Sequence, residues 1–226
     1  MRIETQTYYG LKRPDAYEED QIARSTSKRT SRKSLSFYTP VAEALLAASG
    51  MKNQESSTFS MICMGTRNNG ERVWFRSLMK TQNVFSLDIA DNRFKEGEKW
   101  VASPMPGADF AEFLKFDHNE FFKPDFVMDF TALPEDWDEK WDFLYSNSLD
   151  HSYDPTATFR EWVRVVKAGG VLALGFSLES QLSSTDPSVF DKDTIMQFLD
   201  AEDSVECVST FQESGYENFI IKKIGM

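Results

Sequence analysis

The chain has 226 residues, of which 41% are apolar and 27% are charged, and its formal net charge is −11. This length and composition favour one globular domain with a single sizeable core. No segment approaches the roughly 20 apolar residues of a membrane span, and the first residues lack the apolar stretch of a signal peptide, so we expect a soluble, cytoplasmic protein.

The charge is unevenly distributed along the chain. Residues 1–39 carry eight basic and five acidic side chains, whereas residues 40–226 carry a net charge of −14. Because an acidic body repels phosphates, binding to nucleic acid would depend on a basic cluster in the leader. We expect a solvated or loosely ordered leader, with a lid over the substrate as the alternative. The cluster consists of Arg24, Lys28, Arg29, Arg32 and Lys33.

The segment after the leader predicts a helix and then a buried strand. Thr39 and Pro40 have the form of an N-cap and a first helical turn, and Gly50 predicts the end of this helix. The apolar run over residues 59–64 is unbroken. It therefore predicts a strand that is covered on both faces.

The segment from Gly65 to Asp88 predicts a nucleotide-like cofactor site. A turn containing Gly65 and Gly70 precedes a predicted helix over residues 70–80, and a strand over residues 84–88 ends in Asp88, 23 positions after Gly65. Glycine lets the backbone approach a ligand, and a helix start offers unpaired N–H groups. A carboxylate at the next strand end can accept hydrogen bonds from two ribose hydroxyls. We therefore expect an adenosine-containing ligand.

A long connection separates this strand from the next apolar run. Residues 89–124 contain a Pro-Met-Pro-Gly breaker and seven aromatic side chains, and the apolar run over residues 126–130 predicts the third strand. Because such connections are typically only about 2–6 residues around one helix, we interpret the segment as an insertion that covers an edge of the pocket. A surface loop is the alternative.

The second half of the chain predicts four more strands and two more helices. Asp154 and Pro155 mark the start of the first helix, and Gly169 and Gly170 predict its end. The alternating order predicts a mostly parallel sheet with helices on both faces and an antiparallel pair at the C-terminal end. The strands are predicted at residues 143–147, 171–176, 205–211 and 218–224, and the second helix contains Ile195, Phe198 and Leu199.

These blocks, in this order, resemble the class I S-adenosylmethionine-dependent methyltransferases over roughly residues 39–226. The resemblance is type 11-like, and it implies an α/β fold: a Rossmann-like three-layer sandwich with a mostly parallel seven-stranded sheet and an antiparallel C-terminal strand. The chain then divides into the basic N-terminal extension or lid, residues 1–38, and a methyltransferase domain over residues 39–226 with its insertion at about 89–124. The similar motifs are the turn Gly65 to Gly70, Asp88, Asp129 with Phe130, Asn147 to His151, and Val165 to Val171.

The resemblance implies S-adenosylmethionine as the cofactor, S-adenosylhomocysteine as its product, and a set of binding residues. The glycine turn would approach the cofactor with its backbone. The end of the second strand would bind the ribose, the end of the third the adenine, and the end of the fourth the methionine part. In the same order, these residues are Gly65, Thr66, Arg67 and Asn68, then Asp88 and Ile89, then Asp129 and Phe130, and finally Asn147 and Ser148.

Two of these residues carry alternatives. Arg67 stands where the family usually has a second glycine, and its guanidinium could pair either with the methionine carboxylate of the cofactor or with Glu71. Asp129 could accept from the adenine amino group, or it could cap the turn that begins at Thr131.

His151 is the candidate general base, because it is the side chain in this region suited to proton transfer near neutral pH. Asp150 is the second catalytic candidate. Tyr153 and His118 are further candidates for orienting an acceptor. Methyl transfer needs little acid–base help, so His151 could instead order its loop together with Asp150 or line the cofactor pocket.

A small-molecule acceptor is the favoured partner, because the body is acidic and no recognition domain is evident. The alternatives are a methyltransferase for nucleic acid or protein, a nicotinamide-dependent oxidoreductase, and a non-catalytic cofactor-binding module. We expect Cys63 and Cys207 to be small buried hydrophobes. Because the chain has only two histidines, no structural metal site is predicted.

Overall fold

The structure is a computed structural model, and it describes residues 35–51, 58–66, 70–89, 124–179 and 186–225. Four helices are described, namely α1 (Leu35–Ser49), α2 (Gly70–Met79), α3 (Pro155–Val165) and α4 (Lys192–Asp200). The seven strands are β1 (Met61–Met64), β2 (Val84–Asp88), β3 (Phe126–Val127), β4 (Trp141–Ser146), β5 (Val166–Ser177), β6 (Val205–Glu213) and β7 (Tyr216–Lys223).

The strands form one sheet in the order β3-β2-β1-β4-β5-β7-β6. All pairs from β3 to β5 are parallel, and β7 runs antiparallel to both β5 and β6. The predicted fold class is therefore confirmed. Because β1, β2, β4 and β5 are parallel, their carboxyl ends lie at one edge of the sheet, which is the usual position of ligands in such folds.

Each face of the sheet is covered by a different pair of helices. α1 and α2 pack on the face that carries Met61 and Cys63, and the opposite face packs against α3 and α4 through Ile62 and Met64. All four residues of β1 are buried, as predicted for a central strand. Cys63 is a free, buried cysteine, and Cys207 is a free, partly buried one.

The predicted start of the first helix is wrong. α1 begins at Leu35, so Pro40 lies inside the helix and not in its first turn. The hydroxyl of Thr39 donates to the carbonyl of Leu35 at 3.0 Å, one turn below the proline. Phe37 and Tyr38 are both buried against the sheet, so tertiary packing extends the helix across a proline that local rules place at its start.

The largest differences from the predicted strand bounds occur at β3 and β5. β3 has only two residues and not the five from 126 to 130. Gly169 and Gly170 do not end the preceding helix, because α3 ends at Val165 and β5 continues through both glycines. The register between β4 and β5 shifts at this point, and Gly169 has a φ of +77°, so the glycine pair forms an irregularity inside a strand.

The start of α3 confirms the sequence prediction and gives a stability test. The Asp154 side chain accepts a hydrogen bond from the backbone N–H of Ala157 at 3.0 Å, and Pro155 occupies the first turn. Asp154→Ala should lower the free energy of unfolding by about 1 kcal/mol, because a helix N–H loses its partner. Denaturant unfolding measures this, with the exposed Asp203→Ala as control. Equal stability of the two variants would contradict the assignment of the cap.

No described helix has the length and apolar character needed to cross a membrane. The basic leader through residue 34 and nearly all of the predicted insertion, residues 90–123, lie outside the described residues, and His118 is among them.

Candidate functional site

A ladder of serine hydrogen bonds joins the carboxyl end of β4 to the turn after β1. The Ser146 hydroxyl donates to the carbonyl of Met64, and the Ser148 hydroxyl donates to the carbonyl of Gly65, each at 3.1 Å. The backbone N–H of Ser148 donates to the Ser146 hydroxyl at 3.1 Å. The two strand ends predicted to hold a cofactor therefore lie in direct contact.

Gly65 occupies a position that only glycine fits. Its φ is +66°, and a Cβ placed there would lie 2.7 Å from the Cβ of Ser148 and 2.8 Å from its hydroxyl. The N–H groups of Gly65 and Thr66 both donate to the carbonyl of Leu87, at 2.8 and 3.3 Å. The turn is thus fixed against both neighbouring strands, and its backbone lies at the sheet edge without a side chain in the way.

The predicted ribose acid lies at the end of the neighbouring strand. Asp88 is the last residue of β2 and is 7% exposed, and Ile89, which follows it, is partly buried. Asp125, just before β3, was not among the predicted residues. Its carboxylate joins β3 to β2 and α2, because it accepts from the Ser86 N–H at 2.8 Å and from the buried Arg72 at 2.9 Å. These hydrogen bonds join Asp125 to residues 39 and 53 positions earlier in the chain, and no local sequence pattern predicts them.

Asp129 and Phe130 follow the short third strand. One carboxylate oxygen of Asp129 accepts from both the N–H and the hydroxyl of Thr131, at 2.9 and 2.8 Å. The predicted capping alternative is therefore present in the structure. Phe130 is buried, its ring lies 3.4 Å from the Cβ position at Gly65, and its carbonyl accepts from the Trp162 indole at 3.0 Å.

Of the predicted cofactor residues, the structure brings Gly65, Phe130 and Ser148 into one cluster, and Asn147 is the partly buried neighbour of Ser148. Arg67 and Asn68 lie outside the described residues, so both alternatives for the Arg67 guanidinium stay predictions.

His151 contacts an acid that the sequence analysis did not find. Its Nε2 lies 3.2 Å from a carboxylate oxygen of Asp186 and 3.8 Å from one of Asp150. The backbone N–H of Ser188 donates to the carbonyl of Asp150 at 3.2 Å, and the Ser188 hydroxyl donates to the carbonyl of Ser152 at 3.1 Å. The segment that carries Asp186 is therefore fixed against the loop that carries His151.

Asp150, His151 and Asp186 also form the one group of metal-type donors among the described residues. Their ligand atoms lie within 4.8 Å of one another, which is close enough for two carboxylates and an imidazole to ligate one cation. The 3.2 Å contact between His151 and Asp186 is that of a paired imidazole and carboxylate. This pairing accounts for the arrangement without an ion.

A buried hydrogen bond joins α1 and α2, the two helices on the face of the sheet that carries Met61 and Cys63. The Tyr38 hydroxyl of α1 donates to a carboxylate oxygen of Glu71 in α2 at 3.2 Å. Burial and then the nearby Glu71 carboxylate raise the pKa of Tyr38 and that of Tyr145. Both phenols are therefore neutral at physiological pH.

A cavity of about 190 Å³ lies farther along the same sheet edge, between the end of β5, the start of β7 and the start of α4. Its lining residues include three phenylalanines and two acidic residues, Asp191 and Glu217. Four of the lining residues are Phe176, Phe190, Phe219 and Glu217. Phe190 belongs to the segment that carries Asp186 and Ser188, so this segment connects the cavity to the surroundings of His151.

The comparison with protein families decides the class of this site. The model of the methyltransferase domain matches residues 70–174, which extend from the start of α2 into β5 and include Asp88 and His151. This matched part of the chain is a methyltransferase domain. The resemblance of its motifs to the class I, Rossmann-like methyltransferases is confirmed.

Solved structures of methyltransferases share its fold. A protein of Methanococcus maripaludis assigned as an S-adenosylmethionine-dependent methyltransferase matches with a TM-score of 0.55 and 15% identity, over 96% of this chain and 98% of the other. A phosphoethanolamine N-methyltransferase of Haemonchus contortus, in complex with S-adenosylhomocysteine, matches with a TM-score of 0.54 and 13% identity, over 94% of this chain and 61% of the other.

The fold is also that of an enzyme with another reaction. The [4+2]-cyclase SpnF matches with a TM-score of 0.57 and 12% identity, over 93% of this chain and 94% of the other. A search of curated protein sequences gave no match. At these identities the structural likeness shows the fold alone, so the acceptor of this methyltransferase has to be argued from its own residues.

Proposed function

We propose that this methyltransferase transfers the methyl group of S-adenosylmethionine to a small-molecule acceptor. The observation that carries the proposal is the cavity of about 190 Å³ at the sheet edge, which the segment 186–190 connects to the surroundings of His151. A pocket of this size can hold part of a small metabolite. The net charge of −14 on residues 40–226 also disfavours nucleic acid.

In this proposal the cofactor lies across the carboxyl ends of β1, β2 and β4. The Gly65–Thr66 backbone and Ser148 border its methionine part, and Asp88 accepts from its ribose hydroxyls. The ring of Phe130 packs beside the adenine, and Asp129, oriented by Thr131, accepts from the adenine amino group. Asn147 and Ile89 complete the walls, and Arg67 and Asn68 are proposed to hold the methionine carboxylate.

The acceptor nucleophile then attacks the methyl carbon and the sulfur leaves as S-adenosylhomocysteine. The sulfonium is already activated, so the protein mainly aligns the reacting atoms. The acceptor must also lose a proton. We propose that His151 takes it, with the carboxylate of Asp186 holding the imidazole in place and Asp150 as the second neighbouring acid.

The ribose assignment predicts a change in affinity. Asp88→Asn should weaken the binding of S-adenosylhomocysteine by about 10-fold, because the charge-assisted hydrogen bonds to the ribose hydroxyls become weaker ones. Calorimetric titration measures this. The analogue that lacks the 2′-hydroxyl should lose less affinity on the same substitution. The exposed Asp203→Asn variant should bind as the unaltered protein does.

If Asp88→Asn lowers the affinity for S-adenosylhomocysteine and for its 2′-deoxy analogue equally, Asp88 does not bind the 2′-hydroxyl. Binding of S-adenosylhomocysteine unchanged by Asp88→Asn would remove Asp88 from the ribose site.

A label-transfer experiment tests the acceptor class. The protein is incubated with S-adenosylmethionine that is tritiated in its methyl group and with a cell extract, and the products are separated by ultrafiltration. We expect protein-dependent label in the small-molecule filtrate. Label confined to protein or nucleic acid would contradict the proposal and favour a polymer acceptor, for which the basic leader is the candidate contact.

A further inference from the structure

The cavity at the end of β5 has the size and walls of a site for a small ring or alkyl group. Its volume is about 190 Å³, whereas an engineered apolar cavity of about 150 Å³ is large enough to bind benzene. The ring centroid of Phe176 lies 4.9 Å from that of Phe190 and 5.8 Å from that of Phe219. The exposed Leu178 also lines the cavity, so the cavity reaches the surface at that point.

A buried carboxylate interrupts this apolar wall. The Glu217 side chain is 5% exposed, and its residue lies directly opposite Phe176 in the antiparallel pair of β5 and β7. Opposite residues of such a pair project from the same face of the sheet. Because a carboxylate is costly to bury without a positive partner, this acid requires a cation in the cavity wall.

The positive partner in the described structure is a side chain that can be displaced. Lys192 Nζ lies 3.2 Å from a carboxylate oxygen of Glu217, but the lysine side chain is 53% exposed. Its ammonium is also 3.1 Å from the Thr210 hydroxyl. A half-exposed lysine is held weakly because its ammonium is stable in water, so a ligand cation can replace it at Glu217.

We propose that this cavity binds an organic amine, with the apolar body of the amine against the phenylalanine rings and its ammonium on Glu217 in place of Lys192. The rings add cation–π attraction to the ion pair. An anionic ligand would face the Glu217 carboxylate and should bind more weakly than the amine.

The inference that this amine is the methyl acceptor rests on the proposed function. Residues 186–190 connect the two places: Asp186 contacts His151, Ser188 is bonded to the loop that carries it, and Phe190 lines the cavity. Four residues of fully extended chain span at most about 14 Å. A molecule held by Glu217 can therefore extend to the reaction site without leaving this edge of the sheet.

Three probes that differ mainly in charge test the cavity. Benzylamine, benzyl alcohol and benzoate are titrated into the protein saturated with S-adenosylhomocysteine, and their dissociation constants are measured by ligand-observed NMR. We expect benzylamine to bind about 10-fold more tightly than benzyl alcohol, because its ammonium makes a charge-assisted hydrogen bond, and benzoate to bind most weakly. Benzylamine binding no tighter than benzyl alcohol would overturn the proposal.

Two substitutions locate the effect. Glu217→Gln should abolish the preference for the amine, whereas Glu206→Gln, an exposed position on β6 with the same change of charge, should keep it. Lys192→Met should tighten benzylamine several-fold, because the competing ammonium is gone. This second variant keeps the test decisive if Glu217→Gln does not fold. An amine preference that survives Glu217→Gln, or benzylamine affinity that fails to rise in Lys192→Met, contradicts the proposal.

The outcomes also separate this inference from the proposed function. If the probes show no preference but tritium still enters the small-molecule filtrate, the acceptor is small and is not held as an amine by Glu217. If the preference is found but all label enters polymers, the cavity is an amine site and the proposed function is wrong.

Discussion

Gly65→Ala should both destabilise the protein and weaken its binding of S-adenosylhomocysteine. An alanine here must adopt a φ of +66° and place its Cβ 2.7 Å from that of Ser148. The left-handed backbone costs about 1 kcal/mol, and overpacking costs about 1–3 kcal/mol more. We therefore expect a loss of about 2–4 kcal/mol in the free energy of unfolding. The loop shift that relieves the clash should lower cofactor affinity by about 10-fold or more, since every 1.4 kcal/mol is tenfold.

A second glycine of the same chain provides the control. Gly50 has a φ of +72°, but a Cβ placed there meets no atom within 4 Å. Gly50→Ala should therefore show only the backbone cost of about 1 kcal/mol and normal cofactor binding. Denaturant unfolding and calorimetric titration of both variants separate the two effects. If the two alanines cost the same and both bind S-adenosylhomocysteine normally, the close contact with Ser148 does not constrain the site.

The second large effect is expected at His151. His151→Gln should lower the rate of label transfer to small molecules by about 100-fold, because the acceptor loses its proton acceptor and its alignment. The affinity for S-adenosylhomocysteine should stay within about 2-fold. Asp186→Asn should give a smaller loss of rate, about 10-fold, since an amide still contacts the imidazole but no longer stabilises its charged form.

The rates and cofactor affinities of the two variants distinguish proton transfer by His151 from a structural role of this residue. A loop-ordering role, the alternative left open by the sequence, would lower cofactor affinity and rate together in both variants. A rate within about 2-fold of the unaltered protein after His151→Gln would show that the proton leaves without this side chain.

Features set by neighbouring residues were predictable from the sequence. β2 was predicted with its observed bounds, and the Asp154 cap of α3 is present, because an apolar run and an N-cap act over a few residues. The mostly parallel sheet with its antiparallel C-terminal pair was predicted from the alternation of strands and helices. The position of Asp88 at the carboxyl end of its strand was predicted from the same pattern.

Features that depend on distant partners were missed. Pro40 lies within a helix because Phe37 and Tyr38 are buried by the sheet, and β5 continues through Gly169 because β4 pairs with it. The contact of Asp186 with His151 joins segments 35 positions apart, and nothing around residue 186 resembles a motif. Such contacts arise only from the folded chain.

Binding of the product tests the central claim most directly. S-adenosylhomocysteine and NAD⁺ are each titrated into the protein in a calorimeter. The methyltransferase site predicts one site per chain for S-adenosylhomocysteine, weakened by Gly65→Ala and not by Gly50→Ala, and no binding of NAD⁺. Binding of NAD⁺ without S-adenosylhomocysteine, or binding of neither compound, would contradict it.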